Sequence, residues 1–186
     1  MLIETIPLLT AVKAALQTLR VPSPRPPATP LPLGEGQGGE GEGEVLFDLV
    51  DFYSERDLQG GLDQLLKSTA KRVCLIVPGG DNHTTQGASA NAVFLKRTTD
   101  FALLIADKSY KPGAVEAAFG GPETLGAIKA KDIVVRELTG KNLGLAGAAL
   151  VPGNGSLLTA GNQDRARPFW IQQFSTFAGE DVVPVE

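Results

Sequence analysis

Apolar residues near the start of the chain share one helical face. Ile6, Leu9, Val12, Leu16 and Leu19 recur at three- and four-residue spacing, the period of an amphipathic helix. Pro7 suits a first turn, Thr5 is a candidate cap, and Lys13 and Arg20 fall off the stripe. Glu44 to Asp51 (EVLFDLVD) reads as a short strand. Asp57 to Lys67 reads as a helix with Leu58, Leu62, Leu65 and Leu66 on one side and Gly60-Gly61 weakening its first turns. Arg72 to Val77 is a continuous apolar run, the pattern of a strand buried on both faces. It exits through Pro78-Gly79-Gly80 into Asp81 to Ala90, which reads as a polar loop. Ala92 to Asp107 predicts one long or bulged strand, more apolar in its second half.

Further on, Lys108 to Gly113 reads as a turn and Ala114 to Phe119 as a weak helical stretch stopped by Gly120-Gly121. Pro122 opens the longest later helix, with Glu123 in its first turn favourable to the helix dipole. Leu125, Ile128, Val135 and Leu138 form its apolar stripe, and Gly140 is its left-handed exit. A strand at Ala148 to Val151, a turn at Pro152 to Gly155 and a partner at Leu157 to Thr159 follow. A polar loop, Gly161 to Arg167, precedes a closing aromatic strand, Phe169 to Phe177. This order predicts a single α+β domain over the 186 residues, with a mixed, largely antiparallel sheet flanked by two to four helices.

One segment stands apart. Pro22 to Glu44 (PSPRPPATPLPLGEGQGGEGEGE) is Pro-rich, then Gly/Glu-rich, and buries too little apolar surface to offset the entropy of ordering it. It reads as a flexible insertion in a surface loop, tolerated because closure entropy grows slowly with length; a Pro-rich ligand for a recognition domain is the alternative. Of the net charge of -4, most sits here, where Arg25 faces Glu35, Glu40, Glu42 and Glu44. The nearly neutral remainder lacks the clustered positive field of a nucleic-acid binder. No secretory signal or membrane-length apolar run is legible, so a cytosolic protein is expected.

Candidate chemistry is sparse. Cys74, the only cysteine, lies in VCLIV and reads as a small buried hydrophobe, with nothing adjacent to make a reactive thiol. His83 is the only histidine, so zinc-ligand spacing is unavailable and no nucleophile elbow accompanies it. The Gly79-Gly80 turn with Asp81, Asn82, His83 and Thr84 is the best enzymatic candidate, for a phosphorylated or acyl substrate. It lacks the phosphate-loop and dinucleotide fingerprints, so a plain connector is the competing reading. Asp48 and Asp51 read as solvated edge charges. Phe169, Trp170, Phe174 and Phe177 suit core packing or, in a strand with one face in the core and the other at a subunit boundary, an aromatic anchor, and Glu44 to Asp51 and Phe169 to Phe177 are the candidate edge strands.

The order of elements and several short strings carry a resemblance. ETIPLLTAVKAALQTL, VLFDLV, DIVVRELTGKNLGLAGAALVPGNGSLL and PFWIQQFSTF together resemble the bacteriophage tail-terminator class, most closely a minor tail protein family typified by Mu-like prophages. The likeness spans most of the chain except Pro22 to Glu44. It implies no enzymatic role and no cofactor. It implies a ring, commonly a hexamer, that caps the tail tube in the host bacterial cytoplasm, stops polymerisation and joins the virion tail to the head. Partners would be other copies of the chain, the tube and possibly sheath protein, and the head-tail connector. Neither nucleic-acid sequence recognition nor a membrane is implied. The family fixes no contact residues by motif. Asp81, Asn82, His83, Lys108, Tyr110, Lys111, Trp170 and Gln172 are the candidates for an oligomer or tube interface.

Overall fold

Two long strands, Ala92–Asp107 and Arg167–Pro184, set the architecture. The computed structural model describes residues 5–22, 43–53, 70–107, 118–121, 125–143, 149–160 and 167–184. Among these, helix α1 (Thr5–Thr18) is followed by β1 (Leu49–Phe52), β2 (Arg72–Ala88), β3 (Ala92–Asp107), α2 (Ala127–Leu138), β4 (Leu150–Ala160) and β5 (Arg167–Pro184). The strands form one five-stranded sheet in the order β1-β2-β3-β5-β4. β1 runs parallel to β2, and every other neighbouring pair is antiparallel. The fold is α+β, a mixed and mostly antiparallel sheet flanked by two helices among the described residues.

Both helices cover the same sheet face. Leu8, Leu9, Val12 and Leu16 of α1 join Val50, Cys74 and Ile76 in a core that continues through Phe101, Leu103, Ile105 and Phe174 to α2. Phe101 and Phe174, opposite one another on β3 and β5, stack with ring centroids 5.5 Å apart. A second cluster, with Tyr53, Val73, Leu75 and Leu104, lies on the other face, so the β2 run Arg72 to Ile76 is buried on both sides as its composition predicts.

Several boundaries differ from the sequence reading. Ile6 is 79% exposed and Leu8 takes its place in the stripe, because Leu8, Val12 and Leu16 repeat every four residues while Ile6 lies across the helix. Thr5 begins α1 rather than capping it. The strand expected over Glu44 to Asp51 begins at Leu49. Leu46 and Phe47 are consecutive and both buried, which breaks alternation, and the Asp48 carboxylate accepts the Lys71 and Arg72 N–H groups at 2.8 and 2.9 Å.

Helix α2 starts at Ala127, later than Pro122. Its buried positions are Ala127, Ala130, Ile133, Val134 and Leu138, with Ile128 and Val135 only flanking. Two alanines with no exposed surface let the helix sit close to the sheet. Gly126 precedes it at φ 82°, and a Cβ there would strike the backbone of Phe119 and Gly120. Gly140, at φ 75°, is the exit that the sequence predicts.

The largest corrections concern the sheet's far end. The expected loop Asp81 to Ala90 is strand as far as Ala88: β2 continues through register shifts at Pro78/Asp81 and Thr85/Gly87, paired with β3 throughout. The expected turn at Pro152 to Gly155 is likewise a shift within β4. β5 is an interior strand between β3 and β4, so Phe169 to Phe177 is not a sheet edge. It begins at Arg167 and runs on to Pro184. The helix predicted over 57–67, the turn over 108–113, most of 114–119 and the loop over 161–166 lie outside the described residues.

The Pro/Gly/Glu-rich segment leaves and re-enters at one point. Arg20 and Val45 form an antiparallel bridge, Val21 N–H donates to the Glu44 carbonyl at 2.8 Å, and Leu46 N–H donates to that of Leu19 at 2.8 Å. Glu44 also pairs with buried Arg72, so the useful deletion stops short of it. Replacing residues 23–42 by a short Gly/Ser linker, with this neck kept, is expected to change unfolding free energy by less than ~2 kcal/mol, since surface changes usually stay within about 0.5 kcal/mol. Thermal and denaturant unfolding measure it, and a larger loss shows that the segment stabilises the body.

Candidate functional site

Beyond the helices, three strands continue with no second layer among the described residues. Residues 78–88 of β2, 92–101 of β3 and 174–184 of β5 form a blade in which β3 is paired on both sides. At ~3.3 Å per residue, its ten or so residues extend roughly 30 Å. The β2 stretch Pro78 to Ala88 is exposed save for Gly87, which is half-buried.

Alternation sorts the blade's side chains onto two faces. On the face continuous with the helix-covered core lie Asp81, His83, Arg97, Thr99 and Asp181. Thr99 Oγ1 donates to Asp81 Oδ1 at 2.6 Å, His83 Nε2 lies 3.3 Å from Asp181 Oδ2, and Arg97 sits between the acids at 3.8 Å from Asp81 and 4.0 Å from Asp181. Val93, Leu95 and Val183 continue this face to the tip. The opposite face carries Asn82, Lys96 and Glu180 with exposed Phe94, Phe177 and Val182. Lys96 Nζ lies 5.5 Å from the Phe177 ring centroid, and Asn82 Nδ2 donates to Asp100.

The structure thus brings Asp81, Asn82 and His83 together on the blade but divides them between its faces. Trp170 and Gln172 lie elsewhere, on β5 beneath α2. Trp170 is half-buried, packs against the core and has Lys131 Nζ 4.9 Å from its ring. Its Nε1 donates to Gln172 Oε1 at 3.3 Å, and the buried Gln172 amide donates to the Gly153 and Gln173 carbonyls at 3.0 Å each. Gln172 therefore anchors the β4 irregularity. Lys108, Tyr110 and Lys111 lie outside the described residues. Sequence reasoning missed Arg97, Asp181, Phe94 and Val182. Neither AVFLKRTTDF nor EDVVP alternates apolar with polar residues, so the only local signal was the length of the strand predicted over Ala92 to Asp107, which contains Phe94 and Arg97.

The Gly79-Gly80 pair occupies a bulge within β2, with no helix N-terminus after it. A Cβ on Gly79 would collide with the Asp100 carbonyl oxygen, so close backbone approach accounts for glycine there. Beside it lies an open groove of about 420 Å³ lined by Val77, Gly79, Asp100, Gly153, Gln173 and Ser175. No cluster of His, Cys, Asp and Glu suited to a metal ion occurs among the described residues, and none of their helices is long and apolar enough to cross a membrane. Cys74 is fully buried, and burial pushes its thiol far above the ordinary range, away from the reactive thiolate.

Asp48 and Asp51 are more than solvated edge charges. Asp48 holds the start of β2, and Asp51 pairs with Lys13 at 2.9 Å, which together with the Phe52 N–H lowers its pKa. Asp107, at the inner end of β3, is buried and accepts the Gly126 N–H at 2.8 Å; burial raises its pKa against the opposing pull of that bond and of Arg72. These carboxylates position β2 and α2.

No family model matches the chain, and no curated protein matches it.

Two expectations follow from these side chains. Asp107→Ala leaves the Gly126 N–H buried and unpaired, and is expected to cost about 1–3 kcal/mol, with Asp107→Asn costing less because it keeps an acceptor. Because folding raises the pKa of Asp107, the folded state binds the proton more tightly than the unfolded chain. Wild-type stability relative to Asp107→Asn therefore rises as pH falls from the folded-state pKa towards 3.8, and denaturant unfolding across that window measures it. Separately, His83→Ala is expected to change stability by less than about 0.5 kcal/mol, as at most exposed positions. Cys74→Ala, in the core, is expected to cost more, roughly 1 kcal/mol.

Proposed function

We propose that this chain is a structural assembly protein of the tail-terminator kind, which forms a ring, caps a tail tube, ends its growth and offers the head-joining surface. The observation that carries this reading is the blade. A sheet ordinarily buries at least one face against a second layer. Here residues 78–88, 92–101 and 174–184 expose Phe94, Val182 and Val183 at 46, 59 and 46% on two opposite faces. Three paired strands hold such an element in place, and a neighbouring molecule completes its burial.

The edges of the sheet fit a protein that assembles in order rather than aggregating. β1 is four residues long and guarded by the Lys13–Asp51 pair, β4 is interrupted by the irregularity at Pro152 to Gly155, and the outer edge of β2 carries two register shifts. Short, charged and bulged edges discourage indiscriminate strand pairing, which leaves side-chain faces as the contact surfaces. The α+β organisation and the short strings quoted above also resemble those of tail terminators, and a ring made from one repeated contact ends a polymer when its outer surface differs from the tube's own layer.

Deletion of the gene in a particle-producing host is expected to give tails of irregular length that fail to join heads, visible by negative-stain electron microscopy. Tails of uniform length, joined to heads, in the deletion strain would reject the terminator role.

A further inference from the structure

The geometry points to the aromatic face of the blade as a two-fold contact with a second copy of this chain. β3 and β5 build this face from cross-strand pairs: Phe94 stands opposite Val182, Lys96 opposite Glu180, Thr98 opposite Phe177 and Asp100 opposite Ser175. Phe94, Phe177 and Val182 are all exposed, and exposed apolar side chains gathered on one face mark a contact surface. Among them two charges are left over. Lys96 and Glu180 are neighbours in the ladder, yet no ion pair joins them, and Lys96 Nζ lies 5.5 Å from the Phe177 ring centroid instead. No other cation among the described residues pairs with Glu180, because Arg97 and His83 lie on the opposite face beside Asp81 and Asp181. The aromatic face thus offers one cation and one anion at the same level on adjacent strands.

That arrangement selects the partner. Let a two-fold axis run along the strands, between β3 and β5, with two blades face to face at the usual sheet spacing of about 10 Å. Each residue then lies opposite the cross-strand neighbour of its own counterpart. Lys96 of each copy meets Glu180 of the other, Phe94 meets Val182, Phe177 meets Thr98, and the Ser175 hydroxyl meets Asp100. Both ion pairs form at once, and no like charges meet. An axis centred on β3 would instead set Lys96 against Lys96, so charge fixes the register. Twist rotates aligned sheets by about 30°, and Lys96 and Glu180, midway along the face, stay near the crossing point. The contact is isologous and complete with two copies. It is independent of the ring reading and leaves the other face, with Leu95 and Val183, free for a repeated contact. Two strands about 4.8 Å apart and roughly 30 Å long cover only ~300 Å² per copy, against ~800 Å² for a stable interface. The pairing is accordingly weak and reversible.

Sedimentation equilibrium on the full chain over a concentration series tests the contact. The wild type is expected to double its particle mass as concentration rises. Lys96→Glu and Glu180→Lys each change one exposed position. Either variant alone sets like charges against each other twice, and is expected to raise the midpoint concentration about tenfold or more, equivalent to ~1.4 kcal/mol. Mixed in equal amounts, the two are expected to recover the wild-type midpoint, since each copy then carries the charges that the other needs. The double variant Lys96→Glu with Glu180→Lys is expected to recover it as well, although it has lost the contact between Lys96 and the Phe177 ring. A wild-type mass that never doubles, an unchanged midpoint in either single variant, or a mixture that pairs no better than its components overturns the contact. None of these outcomes decides the ring, which the tail-length experiment tests separately.

Discussion

The backbone ladder on both sides of β3 is the constraint on which the rest of the structure depends. From Ala92 to Asp107 every residue of β3 faces a β2 or β5 partner, through register shifts rather than interruptions. Along its inner half this satisfies the polar backbone of a strand enclosed by apolar layers, where an unpaired N–H or C=O would be costly. Along its outer half the same pairing continues with no described layer above or below, and the result is a three-stranded blade. Two strands alone would be marginal in water, whereas a third supplies a further ladder. The blade is the core sheet prolonged.

Polar groups at the inner end hold the pieces in register. Asp48 gathers the first N–H groups of β2, Arg72 pairs with Glu44 as the chain returns from the Pro/Gly/Glu-rich segment, and Asp107 holds the Gly126 N–H at the start of α2. Burying charge is costly unless it is paired and hydrogen-bonded, and Asp107 shows the cost in its raised pKa. What these groups contribute is placement: they decide where β2 starts and where α2 sits over β5. The outer face of α2 owes its direction to this arrangement.

Taken together, the two helices close one half of the sheet, and no described element covers the other half. The chain's polar chemistry follows the same division. Gln172, Asp48 and Asp107 are spent within the body, while Asp81, His83 and Asp181 lie on the blade where another molecule can reach them.

The sequence by itself determined the class of fold, the long strand from Ala92 to Asp107, the doubly buried run at Arg72 to Ile76, the inert burial of Cys74 and the left-handed exit at Gly140. Each of these follows from local pattern: apolar continuity or a residue suited to one backbone conformation. Asp81, Asn82 and His83 were legible as accessible residues, though in a loop rather than in a strand. Only the tertiary structure decided that Asp81 to Ala88 is strand, because small polar residues carry little strand preference of their own and pair there through β3. It also decided that Phe169 to Phe177 is interior, that Ala127 and Ala130 are fully buried while Val135 packs only half-buried against the core, and that Arg97 and Asp181 meet. Strand neighbours and helix rotation depend on contacts between residues distant along the chain, and no local period records them.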